Sequence, residues 1–209
     1  MTTPAIVHVI DDDESMRNAL SSLFRSAELG VCTYARAQDF LDATQADAPS
    51  CLVLDIRLPG MNGLDFQDQL RKMKRPLPVI LMSAHGDVPM SVRAMKAGAL
   101  DFLTKPFRDQ DMLDAVDRAL QQDTTQRIER VALLAMQARF ASLTPREQQV
   151  TLLVADGKMN KQVAYTLDIS EVTVKIHRGV AMRKLGAATL ADLVKMVEKL
   201  RAAGMAADA

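Results

Sequence analysis

The sequence predicts a doubly wound parallel α/β sheet followed by a separate all-α unit, and three observations carry that expectation. Apolar runs of strand length, at residues 5–10, 31–34, 51–54, 78–82 and 100–103, alternate with stretches of helical periodicity. Four of these runs finish in or near charged or polar groups: Asp11-Asp12-Asp13, Asp55, Ser83 and Lys105. Past residue 141 the strand signals stop and helix starts and stops follow each other closely.

Residues 5–10 are the first expected strand. The helix after it runs from about Glu14 to Glu28, with Met16, Leu20, Leu23 and Phe24 on one face and Gly30 closing it. A second strand, 31–34, leads to a helix over 37–47 with Phe40 and Leu41 inward. Residues 50–60 are the stretch around which the rest is arranged: Cys51 to Leu54 form a buried strand that delivers Asp55 to its tip, and Pro59-Gly60 stops regular structure. A loop containing Gly63 and a helix to about Lys72 follow. The strand 78–82 ends on Ser83 and passes through Ala84-His85-Gly86-Asp87 into a helix with Pro89 in its first turn. His85 reads as a loop residue rather than a general base. Gly98 ends that helix, the fifth strand ends at Thr104, and a further helix begins at Asp109. Five strands and five helices at this spacing fit the flavodoxin-like order 2-1-3-4-5, in which strands one and three flank the switch point. Asp11, Asp12 and Asp55 then share one crevice at the carboxyl edge of the sheet.

Three segments are expected: residues 1–121, a helical linker 122–141, and residues 142–209. The net charge of zero hides an asymmetry, with 13 basic against 17 acidic residues in the first segment, 3 against 2 in the second and 10 against 7 in the third. A mild basic excess on a small C-terminal unit is compatible with nucleic-acid binding. Between Asp111 and Phe140 neither Pro nor Gly occurs, and apolar residues from Leu113 to Ala138 recur at a loose helical spacing. One long helix, or two in line, is expected there, and both a spacer and a self-pairing coil remain open. Beyond it, Thr144-Pro145-Arg146-Glu147 is a helix start, Asn160 and Ser170 cap two more helices, and a fourth runs from about Thr189 to Leu200. The tight turn at 167–170 before a helix rich in basic residues makes a helix-turn-helix. Residues 202–209 are expected to be a disordered tail.

No run of about 20 apolar residues and no signal-peptide pattern is present, which points to a soluble cytoplasmic protein with no membrane partner. Cys32 and Cys51 lack CxxC or His neighbours and are expected as buried thiols in a reducing compartment.

Two adjacent carboxylates and a third on the neighbouring strand make a hard-oxygen site suited to Mg²⁺. Asp55 could then accept a phosphoryl group as an aspartyl-phosphate, with Lys105 pairing one phosphoryl oxygen and Ser83 hydrogen-bonding another. In these features the first 121 residues resemble a two-component receiver domain: Asp11-Asp12, Asp55 in LDIRLPGMNG, Ser83 in MSAHGD and Lys105 in DFLTKPF. LTPREQQV and NKQVAYTLDISEVTVKIHRGVAMRKL resemble the LuxR/NarL-type output domain. Together they resemble the FixJ subfamily of response regulators, which includes regulators of aromatic-hydrocarbon catabolism. The resemblance implies that Asp12, Asp55 and the Arg57 carbonyl ligate Mg²⁺, with Asp11 acting through water. It implies that Ser83 and Phe102 form the activation switch, and that a sensor histidine kinase supplies the phosphate. It also implies that phosphorylated receivers pair as a homodimer and bind double-stranded promoter DNA, with RNA polymerase as a further candidate partner. By the same resemblance, the helix 171–185 is expected to offer Lys175, Ile176 and Gly179 toward bases and His177 and Arg178 toward phosphates, with Lys161 and Thr173 as further phosphate candidates. Val172, Val174, Val180 and Leu185 are expected on its buried face.

The expected function is therefore regulatory, not enzymatic. A phosphatase of the haloacid-dehalogenase type would also use a strand-end Asp with Mg²⁺, but it wants a second acid two residues on, where this chain has Arg57. A constitutive DNA binder with a vestigial receiver is the third reading, and the intact Asp11, Asp12, Ser83 and Lys105 speak against it.

Overall fold

The computed structural model describes residues 4–44, 46–73, 77–84 and 88–204. The expected His85 loop and the last five residues of the tail lie outside them. The chain divides into two compact units, Met1–Arg127 and Ile128–Ala209, six residues beyond the break expected from sequence.

The first unit alternates strand and helix: β1 (Ile6–Ile10), α1 (Glu14–Ser26), β2 (Gly30–Tyr34), α2 (Ala37–Asp42), β3 (Ser50–Asp55), β4 (Arg57–Leu58), β5 (Met61–Asn62), α3 (Gly63–Lys72), β6 (Val79–Ser83), α4 (Val88–Lys96), β7 (Asp101–Thr104) and the start of α5 (Asp109–Ala141). Its main sheet is parallel, in the order β2-β1-β3-β6-β7. With the β4–β5 hairpin set aside, this is the order 2-1-3-4-5. All of β3 and β6 is buried, as befits central strands covered on both faces. One face carries a cluster that includes Phe40, Leu52, Leu54, Phe66 and Leu81; the other carries Phe24, Val7, Val53, Met82 and Met112.

Three local readings change. α1 stops at Ser26 and its exit turn falls on Glu28 at φ 60, so Gly30 opens β2 instead of closing the helix. α2 stops at Asp42, five residues early. Where a plain loop is expected, Arg57–Leu58 and Met61–Asn62 pair as an antiparallel hairpin turning through Gly60 at φ 81, a conformation that suits glycine. Cys51 is buried as expected, but Cys32 is only half-buried because β2 is an edge strand.

α5 is one uninterrupted helix of 33 residues. The second unit continues with α6 (Pro145–Ala155), α7 (Asn160–Leu167), α8 (Glu171–Leu185) and α9 (Leu190–Ala202). Thr144 and Glu147 form the expected capping box of α6, and Ser170 caps α8 through the Thr173 N–H. α7 starts one residue earlier than expected: Met159 is the capping position, its N–H donating to Gln162 Oε1, and Asn160 Oδ1 instead accepts from Arg178. Val150, Val163, Val174, Ala181, Leu185 and Leu193 fill the core between these helices. Asp168, left-handed at φ 52, turns the chain from α7 to α8.

Candidate phosphoacceptor site and nucleic-acid interface

The parallel register aligns the ends of the strands. Ile10 lies opposite both Tyr34 and Leu54, Asp55 opposite Met82, and Ser83 opposite Thr104. The residues that follow these positions emerge on one edge of the sheet. Carboxylate oxygens of Asp11, Asp12 and Asp55 lie within 4.8 Å of one another, with Asp11 and Asp55 buried and Asp12 exposed. Lys105, directly after β7, places Nζ 2.6 Å from Asp11 Oδ2 and 2.9 Å from Asp55 Oδ1. The other Asp55 oxygen, Oδ2, accepts from the Arg57 N–H at 3.0 Å.

Burial holds the Asp55 carboxyl above its ordinary pKa, and the bonds from Lys105 oppose that while the neighbouring Asp11 charge reinforces it. Burial pulls Lys105 down, but its bonds to Asp11 and Asp55 outweigh this and hold the ammonium charged. Three carboxylates facing one ammonium leave negative charge uncompensated in a partly desolvated place. That is the donor set of a hard divalent cation, and the residues present fit Mg²⁺. An open cleft of about 420 Å³ lined by Asp12, Arg57, Pro59 and Asn62 adjoins them.

The surrounding backbone is held by residues that sequence reasoning passed over. Arg17 donates to the carbonyls of Asp11 and Asp12 at 2.8 and 2.9 Å, which fixes the acidic loop from α1. Asp13 caps α1 by accepting from the Ser15 N–H, and its own N–H donates to Asp11 Oδ1. Gly63 opens α3 so tightly against the end of β3 that a Cβ there would sit 2.5 Å from the Asp55 carbonyl oxygen. The signal available in sequence is the second glycine of LPGMNG, whose reason only the close approach discloses.

Ser83 is buried at the tip of β6, with Oγ 3.7 Å from Met90 Sδ. Phe102 is half-buried on β7, where it packs against the cluster that contains Leu81. Ser83 thus ends its strand on the same edge of the sheet as Lys105, and Phe102 lies two register pairs further in, opposite Leu81. At position 57, where a phosphatase of the haloacid-dehalogenase type would want its second acid, the chain has an exposed arginine.

In the second unit, α7, the turn at Asp168 and α8 make a helix-turn-helix. Lys161, Lys175, Ile176 and Gly179 are exposed, while Thr173, His177 and Arg178 are half-buried. Thr173 Oγ1 lies 2.8 Å from Ser170 Oγ, and Arg178 holds Asn160 at 3.1 Å. The buried face of α8 is Val174, Ala181 and Leu185. This corrects the expected one: Val172 is 66 % exposed and Val180 half-buried, because the true inward line passes through residues spaced seven and four apart. Lys184 turns back to Glu147 at 2.7 Å and locks α8 to α6.

A five-stranded receiver-type sheet with an Asp-Asp-Asp-Lys edge, followed by a helix-turn-helix unit, defines a signalling protein that acts on DNA. Residues 7–117 match the response regulator receiver domain, and residues 141–197 match the bacterial regulatory proteins of the luxR family. The chain is 51 % identical over 199 residues to nodulation protein W of Bradyrhizobium diazoefficiens, covering 95 % of this chain and 88 % of that one. It is 39 % identical over 208 residues to the transcriptional regulatory protein FixJ of the same organism, covering all of both. The solved structure of the response regulator StyR superimposes with a TM-score of 0.80 at 47 % identity, covering 94 % of this chain and 100 % of that one. The chain belongs to the two-component response regulators with a LuxR-type DNA-binding domain. It is a transcriptional regulator, as its relatives are.

Proposed function

We propose that a sensor histidine kinase phosphorylates Asp55 and that the phosphorylated receivers pair, so that two output domains engage adjacent half-sites in promoter DNA. The observation that carries this reading is Lys105 Nζ bridging Asp11 and Asp55 at the strand tips. In the transfer, a carboxylate oxygen of Asp55 forms a bond to phosphorus as the P–N bond of the donor phosphohistidine breaks, and the electron pair leaves with the histidine nitrogen. Lys105 is placed to pair with one phosphoryl oxygen, and Ser83 to donate to another once its Oγ swings from Met90. Mg²⁺ held by Asp12, Asp55 and the Arg57 carbonyl, with Asp11 acting through water, would supply neutralising charge at the phosphoryl group. Phe102 follows Ser83 inward as the second element of the switch, and the surface formed by α4 and β7 carries the pairing.

In this reading residues 1–121 receive the signal, 122–141 transmit it and 142–209 bind DNA. Lys161, Thr173, His177 and Arg178 contact phosphates, and Lys175, Ile176 and Gly179 face bases. Among the described residues no helix is long and apolar enough to cross a membrane, which accords with a cytoplasmic regulator. RNA polymerase is the further partner such a regulator would contact.

The experiment is a comparison of wild type with Asp55→Asn in the presence of a small phosphodonor and Mg²⁺. Wild type is expected to gain mass by one phosphoryl group, to dimerise in sedimentation and to tighten on promoter DNA. Pairing of Asp55→Asn on addition of the donor would reject the mechanism.

A further inference from the structure

The outward face of α8 contains a residue that the fold itself does not require. Gly179 lies in the interior of the helix, where glycine is less favourable than alanine. Its φ is not in the left-handed region, and a Cβ built there would meet no heavy atom within 4 Å. Neither backbone conformation nor internal packing accounts for the missing side chain.

Its neighbours on the helix say what kind of surface this is. At 100° per residue, Val172, Ile176 and Gly179 fall on one stripe diametrically opposite the buried Val174, Ala181 and Leu185. Val172 is 66 % and Ile176 59 % exposed, so two β-branched aliphatics with a gap beside them form the crest that α8 presents to its surroundings. Neither carries a hydrogen-bond donor or acceptor. Of the features a base pair shows in the major groove, aliphatic carbon can read one: the 5-methyl group of thymine. Exposed Lys175 lies to one side of the stripe and exposed Arg183 continues it about one turn beyond Gly179, which gives the charge complementarity a phosphate-bordered groove needs.

We propose that Gly179 is a specificity-determining residue: the space left by its missing side chain, beside Val172 and Ile176, receives a thymine methyl group and sets a preference for T at that step. The proposal rests on α8 being the recognition helix and goes beyond it by naming the base feature read and by making an absence of side chain the discriminating element. A larger residue at 179 would hold the helix off the base edge.

The test uses the full-length protein, treated with phosphoramidate and Mg²⁺, and a duplex selected by the wild type from a random-sequence pool. Dissociation constants are measured for wild type, Gly179→Ala and Gly179→Leu on that duplex and on copies in which single thymines are replaced by uracil, which removes only the methyl group. Gly179→Ala is expected to melt at higher temperature than wild type yet to bind roughly tenfold more weakly, the size of one mismatched base pair. Gly179→Leu should bind more weakly still and enrich a different base at that step. At one or two positions the wild type should lose several-fold in affinity on the uracil copy, and both variants should lose that dependence. If Gly179→Ala binds the selected duplex as wild type does, with the same response to uracil, the proposal is overturned. If the wild type enriches no sequence at all, the recognition-helix reading itself fails, and that result is distinguishable because it appears before any variant is compared.

Discussion

The Ser50 N–H donates a 2.8 Å hydrogen bond to Oδ2 of Asp123, a buried carboxylate on α5. Ser50 is the first residue of β3, and Asp55 is its last. α5 therefore grips the strand at the end opposite the candidate phosphoacceptor. The same Asp123 oxygen accepts from Arg127 Nε at 2.7 Å, and Arg127 also pairs with Asp47 before β3. Burial lowers the Arg127 pKa but its bonds to Asp123 and Asp47 outweigh that and raise it, so the cation stays on the pair. Asp123→Ala would leave a buried N–H unpaired and one cation short of a partner. A loss of roughly 2–3 kcal/mol is expected, below the full value for a buried pair because Arg127 is partly solvated. Equilibrium denaturation by urea measures it, and a loss under about 0.5 kcal/mol would show that α5 does not anchor β3.

Gly63→Ala should be costly for a different reason. The added Cβ would lie 2.5 Å from the Asp55 carbonyl oxygen and 2.9 Å from the Ile56 Cα, both backbone atoms that cannot rotate away. Overpacking of this kind costs about 1–3 kcal/mol, and here the relief would come from moving the strand tip that carries Asp55. Loss of stability together with slower phosphorylation by acetyl phosphate is expected. Normal phosphorylation in a stable variant would show that α3 can withdraw without disturbing the site.

Lys105→Met separates the two ways of compensating the acidic edge. Without the ammonium, carboxylates of Asp11, Asp12 and Asp55 within 4.8 Å of one another have a divalent cation as their remaining neutraliser. The variant should melt lower than wild type in EDTA and gain more than wild type when Mg²⁺ is added, since binding to the folded state stabilises it by mass action. Equal Mg²⁺-induced shifts in the two proteins would mean that Lys105 and the cation do not answer the same charge.

Most of the sheet and its edge could be read from the chain because the relevant signals are local. Apolar runs such as Cys51 to Leu54 ending on Asp55 specify strand, burial and tip in a few consecutive residues, and parallel connections then leave little choice of order. What escaped were properties that depend on pairs distant in sequence. The bond between Ser50 and Asp123 joins residues 73 apart, and nothing local marks Asp123 as more than one exposed helix acid among several. The inward line of α8 was misjudged for a related reason. Val172 and Val180 are as apolar as Val174, and only the positions of α6 and α7 decide which valines they cover. Gly60 and Gly63 both read as loop formers, yet one serves a positive φ and the other a close approach.

The second unit should carry a pH signature of its own through Glu147. This buried carboxylate accepts from Lys184 Nζ at 2.7 Å and from the Thr144 N–H at 2.9 Å, and these bonds hold its pKa below the ordinary carboxylate value. A folded-state pKa below the unfolded value of about 4.3 means that the unfolded chain binds the proton first as pH falls. The stabilisation is complete above that unfolded value and is lost as pH drops through the folded one. Glu147→Gln keeps an acceptor for the α6 cap but no charge for Lys184, so it should melt below wild type at neutral pH. Its thermal midpoint should then approach that of wild type as the pH falls through the lowered folded-state value, where Glu147 itself becomes protonated. Differential scanning calorimetry across that range tests both limits. A gap that stays constant with pH would assign the effect to packing around α6 and α8 instead of to the ion pair.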